Sequence, residues 1–225
     1  MDPELPRGPA RHDLVWLSPS WRDSLLAPLQ PAAVPVLAAW FAAGRPAVAC
    51  RREPDAPADA IALGVALPLS RLRARIGFAV ARRAVLRSSP PLLLSAVVES
   101  APHAWREALA GIVRDAGALG MAVSVYGSLT WQHLTGEPYL DEGSDVDLLV
   151  QPRTRAQLEG ALELLRRWDG FGGLRVDGEV RIGAGRAVAW REMSRGRDRV
   201  LVKTDSSVGL QARSLLLTCL REDLT

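Results

Sequence analysis

The sequence predicts an α/β (α+β) fold: a mixed sheet with flanking helices, preceded by a small N-terminal α+β domain. Three observations predict it. From residue 103 onward, apolar residues recur alternately at helical and at strand spacing, the mark of interleaved helices and strands. The strand-like stretches end in hairpin-like pairs, which favours mixed over purely parallel pairing. Ser88-Ser89-Pro90-Pro91 is the strongest break in the chain and divides it into domains at 1–88 and 89–225.

The elements follow in order. Pro19, Pro28, Pro31 and Pro35 punctuate the opening. Val34 to Ala43 reads as a helix begun at Pro35 and closed by Gly44, since proline suits a first helical turn and glycine the residue past the last. Ala47 to Arg51 and Ala60 to Val65 read as short strands. His103 to Ala116 carries Trp105, Leu109, Ile112 and Val113 at helical spacing. Met121 to Tyr126 is the next strand, and Ser128 opens a short helix. Asp145 to Val150 is a further strand. Thr154 is placed to cap a helix with Leu158, Ala161, Leu162, Leu165 and Trp168 on one face. Leu174, Val176, Val180 and Ile182 alternate as a strand, Ala187 to Trp190 is its hairpin partner, and Arg199 to Lys203 is another strand.

Bulk properties narrow the function. The chain has 225 residues, 48% hydrophobic and 24% charged, with net charge +3. That balance describes a soluble globule and gives no reason to expect nucleic acid as a partner. No apolar run reaches the ~18 residues of a membrane span, and Met1-Asp2-Pro3-Glu4 lacks the basic start of a signal peptide. The cytoplasm is the expected compartment. Cys50 and Cys219 read as buried thiols. Residues 1–100 hold 12 basic and 8 acidic residues, whereas 101–225 hold 16 and 17. Arg71, Arg73, Arg75, Arg82, Arg83 and Arg87 form an acid-free cluster, suited to an anionic substrate or an acidic protein, or simply a solvated basic face.

The chemistry concentrates around Asp145 and Asp147, seventeen and nineteen positions after Ser128. Residues two apart on a strand share a face, so the pair presents two carboxylates side by side. Such a pair suits Mg²⁺ (or Mn²⁺), which keeps waters and takes substrate phosphates as further ligands. Gly127 ends the preceding strand, where a missing side chain allows a phosphate to approach backbone N–H groups, and Ser128 adds a hydroxyl donor. Asp177 and Glu179, also two apart, present a second pair of acids on one strand face, Glu179 lying further into its strand. Lys203, the only lysine, is a candidate partner for a triphosphate. His12 and His133 are weaker candidates for acid–base work, and Trp131 for stacking an adenine.

Tyr126-Gly127-Ser128-Leu129-Thr130-Trp131-Gln132 followed by Ser144-Asp145-Val146-Asp147-Leu148-Leu149 resembles the nucleotidyltransferase superfamily. With Arg11 to Trp16, Leu63 to Pro68, Asp177-Gly178-Glu179, Ala187 to Glu192 and Val200 to Lys203, the chain resembles malonate decarboxylase holo-acyl-carrier-protein synthases, the phosphoribosyl-dephospho-CoA transferases. The resemblance implies a small nucleotidyltransferase-like mixed sheet. It also implies an activity: transfer of a 2′-(5″-phosphoribosyl)-3′-dephospho-CoA group from its triphosphate, 2′-(5″-triphosphoribosyl)-3′-dephospho-CoA, to a serine of the malonate decarboxylase acyl-carrier protein, releasing pyrophosphate. Asp145 and Asp147 would be metal ligands, and the third carboxylate that superfamily members add would be Asp177 or, preferably, Glu179. Gly127, Ser128, Lys203, Arg82 and Arg83 are the expected substrate-binding residues. Transfer of a nucleotidyl group from ATP to another acceptor, or a non-catalytic nucleotide- or carrier-binding module, are the alternatives.

Overall fold

The computed structural model describes residues 8–71, 74–183 and 185–222. It contains two units. The first comprises the described residues up to Leu67, with Arg71–Pro91 and Asp205–Ser207. Its elements are β1 (Leu14–Leu17), α1 (Ala33–Ala42), β2 (Ala47–Ala49), β3 (Ala60–Ala66), β4 (Arg75–Ala81) and β5 (Val85–Ser89). The strands form one antiparallel sheet in the order β4-β3-β2-β1-β5. Leu14, Val15, Leu37, Trp40, Leu63 and Val80 are buried in this unit. The Trp40 indole donates to the Pro46 carbonyl at 2.9 Å, which satisfies the one polar atom that burying this ring puts at risk.

The second unit holds Pro68–Ser70, Leu92–Thr204 and the described residues from Val208 on. Its elements are β6 (Leu92–Leu93), α2 (Leu94–Val97), α3 (His103–Ala118), β7 (Val123–Tyr126), α4 (Ser128–Thr135), β8 (Val146–Val150) and α5 (Arg155–Trp168). There follow β9 (Val176–Ile182), β10 (Arg186–Ala189), α6 (Trp190–Ser194), β11 (Arg199–Lys203), β12 (Val208–Ala212) and α7 (Arg213–Leu217). The sheet runs β12-β11-β10-β9-β8-β7-β6, and only the β8–β9 pair is parallel. A parallel pair needs a long crossover, and α5 supplies it. The Thr154 hydroxyl accepts the Gln157 N–H at 3.1 Å, so the expected cap starts α5.

Val146, Leu148 and Val150 of β8 and Val176, Val180 and Ile182 of β9 join Leu109 and Ile112 of α3 and Leu158 and Leu162 of α5 in one core. Trp168 lies flat against α3: a Cβ on Gly111 would come within 2.2 Å of its ring, and its indole donates to Asp115 at 2.9 Å. Since strand side chains alternate, burying the valines directs Asp147, Asp177, Glu179 and Arg181 to the opposite face.

The α+β class is as expected, with local departures. Strands β1, β4, β5, β6 and β12 were not predicted from the sequence. Trp190, expected in a hairpin strand, begins α6 instead, where burial at 2% exposure and an indole bond to the Val176 carbonyl at 3.1 Å outweigh strand propensity. Gly178 lies inside β9, in keeping with the expected strand. Cys50 and Cys219 are exposed thiols, contrary to the expected burial, because each stands beyond the end of its element. Among the described residues no helix is long and apolar enough to cross a membrane.

Candidate functional site

The site is built where β7 hands over to α4. Gly127, at φ 71° and ψ −148°, ends the strand and precedes the first residue of the helix, Ser128. A Cβ on Gly127 would lie 2.0 Å from Oδ2 of Asp147. The glycine thus makes room for the Asp147 carboxylate itself, a closer reason for its presence than the approach of a phosphate. It also places that carboxylate beside the first turn of α4, where unpaired N–H groups favour anions. The Ser128 hydroxyl has no hydrogen-bond partner among the described residues and stays available for a ligand.

Strand register supplies the neighbours. Asp147 is opposite Tyr126 on β7 and Asp177 on β9. Side chains of directly paired residues share a face, so Asp147 and Asp177 stand side by side. Asp145 immediately precedes Val146, the first residue of β8, and is half-buried like Asp147. Its approach is shaped by a turn in which the Ser144 hydroxyl donates to Asp141 at 2.9 Å and the Gly143 N–H at 3.0 Å. Arg175 clamps this turn through the Gly143 carbonyl at 2.5 Å.

Glu179 lies one residue pair deeper, opposite Leu149 and Ala189, and is only 4% exposed. Its Oε1 is 3.1 Å from Nζ of Lys203, reached across β10. The two residues expected to act separately, one on a metal and one on a triphosphate, therefore form an ion pair with each other. A buried carboxylate without that ammonium would be strongly destabilising.

Arg191, to which the sequence reading gave no role, is anchored beside this group. Its guanidinium meets Asp169 at 2.8 Å, donates to the Val176 carbonyl at 2.9 Å and lies over the Trp190 ring. The Asp169 hydrogen bond holds the Arg191 pKa above its ordinary value; burial opposes this, and the charges of Asp169, Asp177 and Asp145 add to it. Arg191 is thus a fixed cation within electrostatic reach of two acids of the site. The conspicuous Trp190-Arg191-Glu192 stretch was the available signal, but a one-dimensional reading does not show which strand it faces.

The remaining expectations separate. Arg82 lines a cavity of about 310 Å³ in the first unit with Arg52 and Cys50. Arg83 donates to the Asp23 carbonyl at 3.2 Å, and the Arg87 guanidinium lies 3.4 Å from the centre of the Trp16 ring. Arg73 lies outside the described residues. The arginines are close in sequence but sit in distinct surroundings, because β4, a short turn and β5 point them apart. Trp131 is 5% exposed, a packing position that leaves no open ring face for an adenine. Nδ1 of His133 is 2.8 Å from the Ser100 hydroxyl.

Among the described residues, no three His, Cys, Asp or Glu side chains gather closely enough to hold a metal ion by themselves. The Asp145–Asp147 pair nevertheless fits an Mg²⁺ of the kind that takes one or two carboxylates and fills its shell with water and substrate phosphate. Fold and site define a class: an α+β protein whose larger, mixed sheet carries a carboxylate group beside a glycine-started helix.

Comparison with known proteins narrows this class. Residues 10–91 match the family model "Phosphoribosyl-dephospho-CoA transferase MdcG N-terminal domain", and residues 92–214 that of the MdcG C-terminal domain. A phosphoribosyl-dephospho-CoA transferase of Xanthomonas campestris pv. campestris (strain 8004) is 39% identical over 206 residues, covering 92% of this chain and 95% of the relative. One from Bradyrhizobium diazoefficiens is 35% identical over 210 residues, covering 92% of each. One from Pseudomonas aeruginosa is 33% identical over 203 residues, covering 87% of this chain and 89% of the relative. No solved structure matches the chain significantly. The chain belongs to the phosphoribosyl-dephospho-CoA transferase family and is an enzyme of that kind.

Proposed function

We propose that this enzyme moves the 2′-(5″-phosphoribosyl)-3′-dephospho-CoA group from its triphosphate onto a serine hydroxyl of the malonate decarboxylase acyl-carrier protein. The observation that carries the reading is the meeting of Gly127, Asp147 and Asp177 at one end of β7, β8 and β9, beside the start of α4. In this reading the serine oxygen attacks the α-phosphorus, the bond to the bridging oxygen of the β-phosphate breaks, and pyrophosphate leaves. No covalent enzyme intermediate is needed.

Asp145 and Asp147 would hold Mg²⁺ or Mn²⁺, which when bound neutralises phosphate charge and acidifies a nearby hydroxyl. The first turn of α4 and the Ser128 hydroxyl bind a phosphate oxygen. Arg191 offsets the mutual repulsion of the acids. Asp177, side by side with Asp147 and exposed, is the better placed acid to receive the serine proton. Glu179 fixes Lys203 and, through it, the β9–β10–β11 segment.

The acids can be ranked by experiment. Asp177→Asn is expected to lower kcat at least 100-fold, about 2.7 kcal/mol of barrier, with an unchanged melting temperature. Glu179→Gln is expected to cost stability first, through loss of the buried pair with Lys203. Larger kcat loss in a fully stable Glu179→Gln protein than in Asp177→Asn would return the third-carboxylate role to Glu179.

The function itself is tested with apo carrier protein and Mg²⁺, supplying either the dephospho-CoA triphosphate or ATP as donor. Pyrophosphate release, with a carrier mass gain equal to the phosphoribosyl-dephospho-CoA group, is expected only with the former. Release with ATP alone would replace this reading by ordinary nucleotidyl transfer.

A further inference from the structure

At the opposite end of the same strands lies a cavity of about 580 Å³ that the proposed chemistry does not use. Arg153, Arg181 and Arg221 line it together with Ser124 and Gln157, and among the described residues no acidic one does. Arg181 is four residues beyond Asp177 on β9, about 13 Å along a strand, so the cavity is separate from the carboxylate group.

Three chain segments converge there. Arg153 comes from the β8–α5 connection, Arg181 from the end of β9, and Arg221 from beyond α7. The Arg221 N–H donates to the Arg153 carbonyl at 2.8 Å, so the C-terminal stretch is tied to that connection. Neither Arg153 nor Arg221 has a carboxylate partner among the described residues. The hydroxyl of Ser124, only 9% exposed, also lacks a hydrogen-bond partner among the described residues. Gln157 is already committed: its carbonyl oxygen accepts the Arg153 N–H at 2.8 Å and its amide donates to Leu119 at 3.1 Å.

Like charges gathered in one cavity repel each other unless an anion joins them, and the Ser124 hydroxyl adds a donor to the cavity wall. Guanidinium groups are suited to bidentate contact with phosphate oxygens. We infer that this cavity is a second anion site, taking a diphosphate group on Arg153, Arg181, Arg221 and Ser124. Resting on the donor assigned above, the diphosphate is either the one inside dephospho-CoA or the free pyrophosphate that the reaction releases.

Calorimetric titration of the full chain with dephospho-CoA, and separately with inorganic pyrophosphate, tests this. Both are run without divalent metal, so that the carboxylate group repels either ligand. The variants are Arg153→Gln/Arg221→Gln, both at exposed positions, and Ser124→Ala. The double variant is expected to bind dephospho-CoA at least tenfold more weakly, and to raise the donor KM at unchanged kcat, with a smaller loss for Ser124→Ala. Loss of pyrophosphate binding alone, with donor KM unchanged, upholds the site with free diphosphate as its ligand. Affinities for both ligands within twofold of the parent in a folded double variant would overturn it. Failure of the function reading looks different: the parent would bind either ligand but not modify the carrier.

Discussion

Asp147→Asn is expected to reduce carrier modification at least 1000-fold, about 4 kcal/mol of transition-state stabilisation, while leaving the melting temperature within a degree or two of the parent. The two halves of this expectation come from one contact. Oδ2 of Asp147 occupies the space that a side chain on Gly127 would fill, so the carboxylate is held by shape as well as charge. Asparagine is nearly isosteric and keeps that packing, but it removes the negative charge that a divalent cation requires. Asp145→Asn should follow in the same direction, because the two carboxylates present their charge together. A check that does not depend on turnover is Mn²⁺ binding followed by electron paramagnetic resonance, which should weaken in both variants. Pyrophosphate release within about tenfold of the parent by either folded variant, a barrier change of only ~1.4 kcal/mol, would remove the pair from the mechanism.

That site was legible in the sequence to the extent that it depends on local rules. The i, i+2 alternation of a strand separates Asp147 from the buried Val146 and Leu148, although Asp145, expected in the same strand, stands just before it, and Thr154 followed by Gln157 marks a helix start. What escaped depends on strand order. Lys203 reaches Glu179 only because β10 lies between β9 and β11, so a lysine 24 residues away becomes a neighbour. Likewise, Asp177 outranks Glu179 as a companion of Asp147 because of the parallel β8–β9 register, which α5 sets and no local pattern encodes. Arg191 belongs to the five-residue α6, too short for a periodic signal, and its place is set by Asp169 and the Val176 carbonyl. In the first unit, β4 was hidden beside the arginine run that precedes it, and β5 because Arg87 interrupts its short apolar pattern. Arg75 opens β4 and Arg87 covers Trp16 with its guanidinium, positions where a charged head reaches water while its stem packs.

The largest expected effect on the fold comes from Gly178→Ala. Gly178 lies inside β9 at φ +132°, and a Cβ there would come within 1.9 Å of the Leu148 carbonyl oxygen and 2.5 Å of the Leu148 nitrogen. Both are backbone atoms of the strand it pairs with, so no side-chain rotation relieves the clash. A non-glycine residue at such a φ costs about 1–3 kcal/mol before any clash is counted. Separating β8 from β9 would also disturb the core of Leu148, Val150, Val176 and Val180. A total loss of roughly 4 kcal/mol in a chain of this size corresponds to a fall of about 8–16 °C in melting temperature. Gly127→Ala makes the contrast. Its Cβ would meet Asp147 Oδ2 at 2.0 Å, the end of a side chain that can swing away. Its stability loss should therefore be confined to the backbone strain at φ +71°, while carrier modification falls nearly as far as in Asp147→Asn because the carboxylate has been displaced. Calorimetry and the transfer assay on the two alanine variants read these effects separately. If Gly178→Ala melts with the parent, the parallel β8–β9 register is wrong, and the pairing of Asp147 with Asp177 goes with it.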